Sequence, residues 1–121
     1  MKILLIEDDK FFQNFYSLKL KEAGFEVETA DDGLQGLDKI KASNPNLILL
    51  DLIMPGKDGF QVLVEKSKDE NMKNIPVIVF STLGQEQDVK KALELGASDF
   101  INKTFFDFNN LLTKVNLVLV K

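Results

Sequence analysis

Five short apolar runs alternate with amphipathic stretches along the whole chain, and this alternation restricts the fold more than any other feature. Lys2 to Ile6, Phe25 to Thr29, Leu47 to Leu50 and Val77 to Phe80 read as strands, with a weaker fifth at Asp99 to Asn102. Between them apolar residues recur at helical spacing. Phe11, Phe15 and Leu18 form the first stripe with Phe12 beside them, Leu34, Leu37 and Ile40 the second, and Phe60, Leu63 and Val64 the third. Val89, Ala92 and Leu93 form the fourth, and Phe108, Leu111, Leu112, Val115, Val118 and Leu119 the longest. Gly24 and Gly96 follow predicted helices as caps, Asn44-Pro45 closes the second helix, and Pro55-Gly56 and Asp58-Gly59 surround a turn.

Strand character suggests an order. Ile3 to Ile6, Leu47 to Leu50 and Val77 to Phe80 are continuously apolar, as strands covered by helices on both faces must be, and belong in the centre. Phe25 to Thr29 alternates and Asp99 to Asn102 has polar ends, which suits edges. The order 2-1-3-4-5 with right-handed crossovers follows, an α/β flavodoxin-like doubly wound (βα)5 sheet with five parallel strands. Ligands of such a sheet sit beyond the carboxyl ends of the strands, at the switch point between strands 1 and 3. At 121 residues with no linker or low-complexity segment, residues 1–121 are expected to form a single domain.

Composition removes several kinds of chemistry. The chain has no Cys, His or Trp, and all 15 basic residues are Lys. That excludes a disulfide framework, an ordinary zinc site and Ser-His or Cys-His relays, leaving carboxylates, hydroxyls and lysine. A net charge of -4 without Arg argues against direct nucleic-acid binding by these residues. Apolar runs stop at four residues and no secretory signal opens the chain, so no membrane insertion and a cytoplasmic location are expected.

What remains converges on one rim of the sheet. The first strand runs into Glu7-Asp8-Asp9 and the third into Asp51, so both strands flanking the switch point end in carboxylates. The fourth ends at Ser81-Thr82 and the fifth runs into Lys103. Clustered carboxylates raise a pKa or recruit a cation, and all-oxygen ligands favour a hard ion, with Mg2+ the expected choice. Asp51, at the end of the most buried strand, is the expected phosphoryl-accepting nucleophile, with Asp8 and Asp9 holding metal and Lys103 neutralising charge. Taken singly, Asp8 or Asp9 could cap the following helix and Asp51 could begin a turn; it is the conjunction of strand ends that favours a site. Most of the ten Phe residues read as core, but Phe105, Phe106 and Phe108 cannot all face inward, and one of them could mark a partner surface.

These residues resemble the receiver domain of two-component response regulators. The resemblance covers the whole chain and rests on LLIEDD, LILLDLIMPGKDGF around Asp51, IPVIVFST and GASDFINK. It implies that Asp8 and Asp9 bind magnesium, with Asp51 and the backbone carbonyl of Ile53 as further ligands. It implies too that Asp51 accepts phosphate, Ser81 and Lys103 contact the phosphoryl group, and Phe100 occupies an aromatic switch position. The implied donor is a sensor histidine kinase or histidine phosphotransfer protein, and the implied output is a downstream protein reading the surface of helix 4, strand 5 and helix 5. A phosphorylation-dependent dimer is a further partner the resemblance allows. Such a receiver catalyses only its own phosphorylation and dephosphorylation.

Thr104 departs from the usual Pro after the lysine, so a trans Lys103-Thr104 bond is expected. Ile53 and Leu83 are apolar where the family is often polar, which predicts slow self-dephosphorylation. A haloacid-dehalogenase-type phosphatase would need a second Asp two positions after Asp51, where Ile53 stands. A flavin module would need a phosphate-cradling loop after the first strand, where Glu7-Asp8-Asp9 has the wrong charge.

Overall fold

The computed structural model describes residues 1–82, 85–103 and 107–120. Its elements are β1 (Lys2–Ile6), α1 (Lys10–Glu22), β2 (Glu26–Ala30), α2 (Gly33–Ser43), β3 (Leu47–Leu50), α3 (Gly59–Lys68), β4 (Val77–Ser81), α4 (Glu86–Glu94), β5 (Asp99–Asn102) and α5 (Phe108–Leu119). All pairings are parallel and the strand order is β2-β1-β3-β4-β5, as the apolar runs predicted. β2 begins one residue later than expected because the Phe25 amide donates to the Leu20 carbonyl at the exit of α1.

β3 and β4 are buried along their whole length and β1 is nearly so, whereas β2 and β5 are partly open, as edges are. Alternate residues of the central strands feed two cores. One, with Leu4, Ile6, Leu50 and Val79, is closed by residues of α2, α3 and α4 and is wholly aliphatic among its buried members. The other, with Ile3, Leu5, Leu49 and Phe80, is closed by α1 and α5 through Tyr16, Leu20, Leu111 and Val115. Gly36 lets α2 lie against β1: a Cβ there would come within 2.5 Å of the Ile6 side chain.

Four of the five helices start where a short acid caps them. Asp9, Asp32, Asp58 and Asp107 each accept an amide of the first turn, and Asp58 forms a full capping box with Gln61. Gly24 and Gly96, at φ 101° and 107°, leave α1 and α4 in the left-handed region, and Asn44 does the same after α2.

Two helix faces differ from the apolar stripes. In α1 the buried face is Gln13, Tyr16, Ser17 and Leu20 with Phe12 packed alongside, while Phe11, Phe15 and Leu18 are 73%, 42% and 57% exposed. The exposed row covers itself in part, with Phe11 and Phe15 stacked at 6.3 Å. The expectation that these rings are core is therefore corrected. Gln13 can sit on the inner face because its amide finds hydrogen-bond partners at the strand ends, and no buried side-chain polar atom among the described residues is left without one. In α3 the inner face is Gly59, Val62, Leu63 and Lys66, leaving Phe60 and Val64 half-buried. Phe108 is half-buried; Phe105 and Phe106 lie outside the described residues. Among the described residues no helix is long and apolar enough to cross a membrane.

Candidate functional site

The carboxyl ends of β1, β3 and β4 and the segment after β5 enclose a cleft of about 200 Å³ lined by Glu7, Asp8, Asp9, Phe12, Asp51, Ile53, Thr82 and Lys103. Parallel pairing places them: Ile6 lies beside Leu50, so the next residues on both strands emerge together, and the Asp51 amide donates to the Ile6 carbonyl at 3.1 Å. Lys103 follows β5, and its amide donates to the Ser81 carbonyl at 3.0 Å. The Lys103 side chain, only 5% exposed, sets its Nζ 2.7 Å from Glu7 Oε2 and 3.6 Å from Asp51 Oδ2. Its ammonium also faces the rings of Phe12 at 4.9 Å and Phe80 at 5.3 Å.

The acids form a trio. Glu7, Asp8 and Asp51 each bring a carboxylate oxygen within 4.8 Å of the others, with Glu7 and Asp51 buried and Asp8 exposed. Burial, then a hydrogen bond and charge repulsion from Asp51, push the Glu7 carboxyl from its ordinary 4.5 up to about 8, although Lys103 pulls the other way. The neighbouring Asp51 thus favours the neutral form of Glu7, and a divalent cation is a chemical species that would relieve this crowding. The donor set, all oxygen, fits a hard ion.

Of the expected metal-holding acids, the structure brings Asp8 and Asp51 together with Glu7, while Asp9 lines the same cleft from the start of α1. Asp9 Oδ1 accepts the amides of Phe11 and Phe12 at 2.9 and 3.2 Å, so its carboxylate serves as the N-cap of α1. The cause is local: the chain turns into the helix immediately after Asp8, which directs the next side chain back onto the helix amides. Glu7 was passed over in the sequence because an acid ending an apolar run reads as the solvent boundary of a strand.

A family model described as response regulator receiver domain matches residues 3–116. The chain belongs to this family. This receiver domain is 37% identical over 118 residues to the DNA-binding dual master transcriptional regulator RpaA of a Synechocystis species, covering 98% of this chain and 48% of that protein. It is 36% identical over 119 residues to the transcriptional regulatory protein CusR of Escherichia coli, covering 98% and 51%. The chain thus spans about half the length of the curated relatives it matches. Two solved structures agree in fold. The BeF3-activated N-terminal receiver domain of Klebsiella pneumoniae RstA gives a TM-score of 0.93 at 27% identity, covering 100% of both chains. Chemotaxis protein CheY4 of Vibrio cholerae gives 0.90 at 28%, covering 98% of both.

The remaining candidate residues of the receiver domain sit around this cleft at different depths. Ser81, at the end of β4, is fully buried, and the adjacent Thr82 lines the cleft instead. Phe100 on β5 pairs with Val79 and is half-buried against the aliphatic core. Ile53 is 52% exposed at the cleft wall, and its amide donates to Asp51 Oδ1 at 3.2 Å. Leu83 and the Lys103-Thr104 bond lie outside the described residues.

Proposed function

We propose that this receiver domain, residues 1–121, takes a phosphoryl group onto Asp51 from a phosphohistidine of a sensor histidine kinase or histidine phosphotransfer protein. The observation that carries the reading is the convergence of Asp51 with Glu7, Asp8 and Lys103 in one cleft at the strand ends. A carboxylate oxygen of Asp51 attacks phosphorus, the P–N bond of the donor breaks, and the imidazole nitrogen leaves with the electron pair. Lys103 lies close enough to both acids to follow the charge as it moves onto the phosphoryl oxygens. Asp8, Asp51 and the carbonyl of Ile53 would hold Mg2+, which supplies charge neutralisation for those oxygens when bound. These 121 residues hold no His, so a phosphohistidine donor lies outside them.

Once formed, the acyl phosphate adds charge and acceptor oxygens beside β4. Ser81 turns its hydroxyl toward them, and Phe100 moves into the space released, altering the surface of α4, β5 and α5 that a downstream protein or a second copy reads. The donor must reach Asp51, and the exposed Phe11, Phe15 and Leu18 row on the helix that opens beside the cleft is the apolar surface best placed to receive it. RpaA is named as DNA-binding, and proteins of its length carry about as much chain again outside the matched part. Where this receiver is joined to such a partner, DNA contact belongs to that part, and the argument against nucleic acid extends only to these 121 residues.

Incubation with Mg2+ and acetyl phosphate, followed by mass measurement, is expected to show one acid-labile phosphoryl adduct that Asp51→Asn abolishes. No adduct on the wild type, or an undiminished one on Asp51→Asn, overturns the reading. Lys103→Ala is expected to retain some adduct yet lose the shift changes at Phe100 seen by NMR. A polar residue at Ile53 or Leu83 is expected to speed loss of the adduct, as apolar side chains two positions beyond Asp51 and Ser81 would shield it from water.

A further inference from the structure

Gln13 stands in the first turn of α1, yet it is only 4% exposed and its amide reaches the ends of two strands. Its Nε2 donates to the Glu7 carbonyl at 2.9 Å, to Asp31 Oδ1 at 2.9 Å and, more weakly, to the Ala30 carbonyl at 3.3 Å. The acceptors are carbonyl or carboxylate oxygens, so the amide can face them only through its nitrogen. The Ala30 carbonyl also accepts the Glu7 amide at 3.0 Å. On the other side, Lys10 Nζ lies 3.5 Å from Gln13 Oε1 and 2.5 Å from Asp31 Oδ1. These hydrogen bonds hold the Asp31 carboxyl below its ordinary value, Gln13 contributing most. One amide thus ties the exit of β1 to the exit of β2.

Asp8 lies inside this clasp. Among the described residues no hydrogen bond or ion pair fixes its side chain, so the peptide planes on either side set its direction. Gln13 holds the first of them: its side chain binds the Glu7 carbonyl, which lies in the plane linking Glu7 to Asp8, while its backbone amide binds the Asp9 carbonyl at 2.9 Å and closes the first turn of the helix just beyond. Glu7 leaves the same plane toward Asp51 and Lys103.

We infer that Gln13 is a positioning residue for the acidic cleft, its buried amide aiming the Glu7 and Asp8 carboxylates at Asp51. The inference rests on the proposed cation-dependent phosphoryl transfer for its consequence, and on the two carbonyl contacts for its geometry. Partners that orient metal-ligating groups from behind typically change metal affinity by about 10- to 100-fold when removed.

The test compares Gln13→Met, which keeps length and loses the amide, with Val115→Ala, a core truncation on α5. Mg2+ affinity is read from backbone amide shifts of the intact chain, and hydrogen exchange is measured without metal. Gln13→Met is expected to weaken Mg2+ binding about tenfold or more and to speed exchange at the Glu7 amide relative to the Asp51 amide. Val115→Ala is expected to lower the melting temperature without either change. Asp31→Asn, at an exposed loop, weakens one acceptor of the clasp and is expected to act in the same direction by a smaller factor; it replaces Gln13→Met should that variant not fold. Unchanged Mg2+ affinity in the clasp variant overturns the inference. Failure of the wild type to bind Mg2+ sinks the proposed function instead, and then an unchanged Glu7 exchange rate overturns the clasp.

Discussion

Helices α3 and α4 cover the same aliphatic core, but they are attached to it in different ways. α3 buries Gly59, Val62, Leu63 and Lys66, begins with a capping box, and is fastened to the loop after Asp51 by the Gly59 amide on the Leu52 carbonyl at 3.1 Å. α4 buries Ala92 alone, and its N-cap residue Gln85 makes no side-chain capping bond. A helix held by one small residue loses little apolar contact when it shifts, so under the proposed switching α4 is the element expected to move, whereas shifting α3 would disturb the Asp51 loop itself.

Truncation should expose this contrast most strongly. Leu63→Ala is expected to cost about 2–5 kcal/mol in chemical denaturation, against less than about 0.5 kcal/mol for Leu93→Ala on the open face of α4. Equal costs would break the comparison. Gly59→Ala comes next, at about 1–3 kcal/mol, because a Cβ there would sit 2.5 Å from the Asp51 carbonyl oxygen. This variant should also slow phosphorylation from acetyl phosphate, since the backbone that carries Asp51 must yield. Capping gives a smaller and opposite pair: Asp58→Ala is expected to lose about 1 kcal/mol, and Gln85→Asp to gain a similar amount by supplying the bond α4 lacks. If the firmer α4 switches as readily as before, measured by phosphorylation-dependent shifts of β5, its loose attachment is not what permits movement.

Titration sharpens the comparison further. Burial lowers the pKa of Lys66 on α3 below its ordinary 10.5, and among the described residues its ammonium donates to the Lys73 carbonyl alone, at 3.2 Å. The native state then holds its proton less tightly than the unfolded chain, so Lys66 destabilises below its folded pKa and that penalty is relieved as pH rises toward 10.5. Glu7 has the opposite sign. Its pKa is raised from 4.5 to about 8, so its contribution to metal-free stability is full below pH 4.5 and is lost as pH rises through 8. Melting temperatures across pH should fall through the first window and recover toward the second. Glu7→Gln is expected to flatten the fall and Lys66→Met the recovery; a profile unchanged in both variants refutes these assignments.

The sheet was legible because its evidence is additive: three uninterrupted apolar runs, two mixed ones and the glycines between leave few alternatives. Helix faces were not, because in α1 two stripes fit the same spacing. Phe11, Phe15 and Leu18 are the more apolar, but the inner stripe carries Gln13, whose value lies in partners contributed by distant strand ends. The cleft followed the same rule. Asp51 and Lys103 could be placed from where strands stop, while Glu7, Asp8 and Asp9 are neighbours of like charge whose roles depend on single peptide orientations. Gln13 gave no signal at all, since an amide near a helix start ordinarily faces water.

The ammonium of Lys103 lies nearer Glu7 than Asp51, wedged between two rings. Among the described residues lining the cleft, the one ammonium faces an excess of carboxylates and is already engaged by two of them. A wandering sulfate or inorganic phosphate therefore meets acids at the doorway and an ammonium held by them, an electrostatic setting that disfavours loosely bound anions.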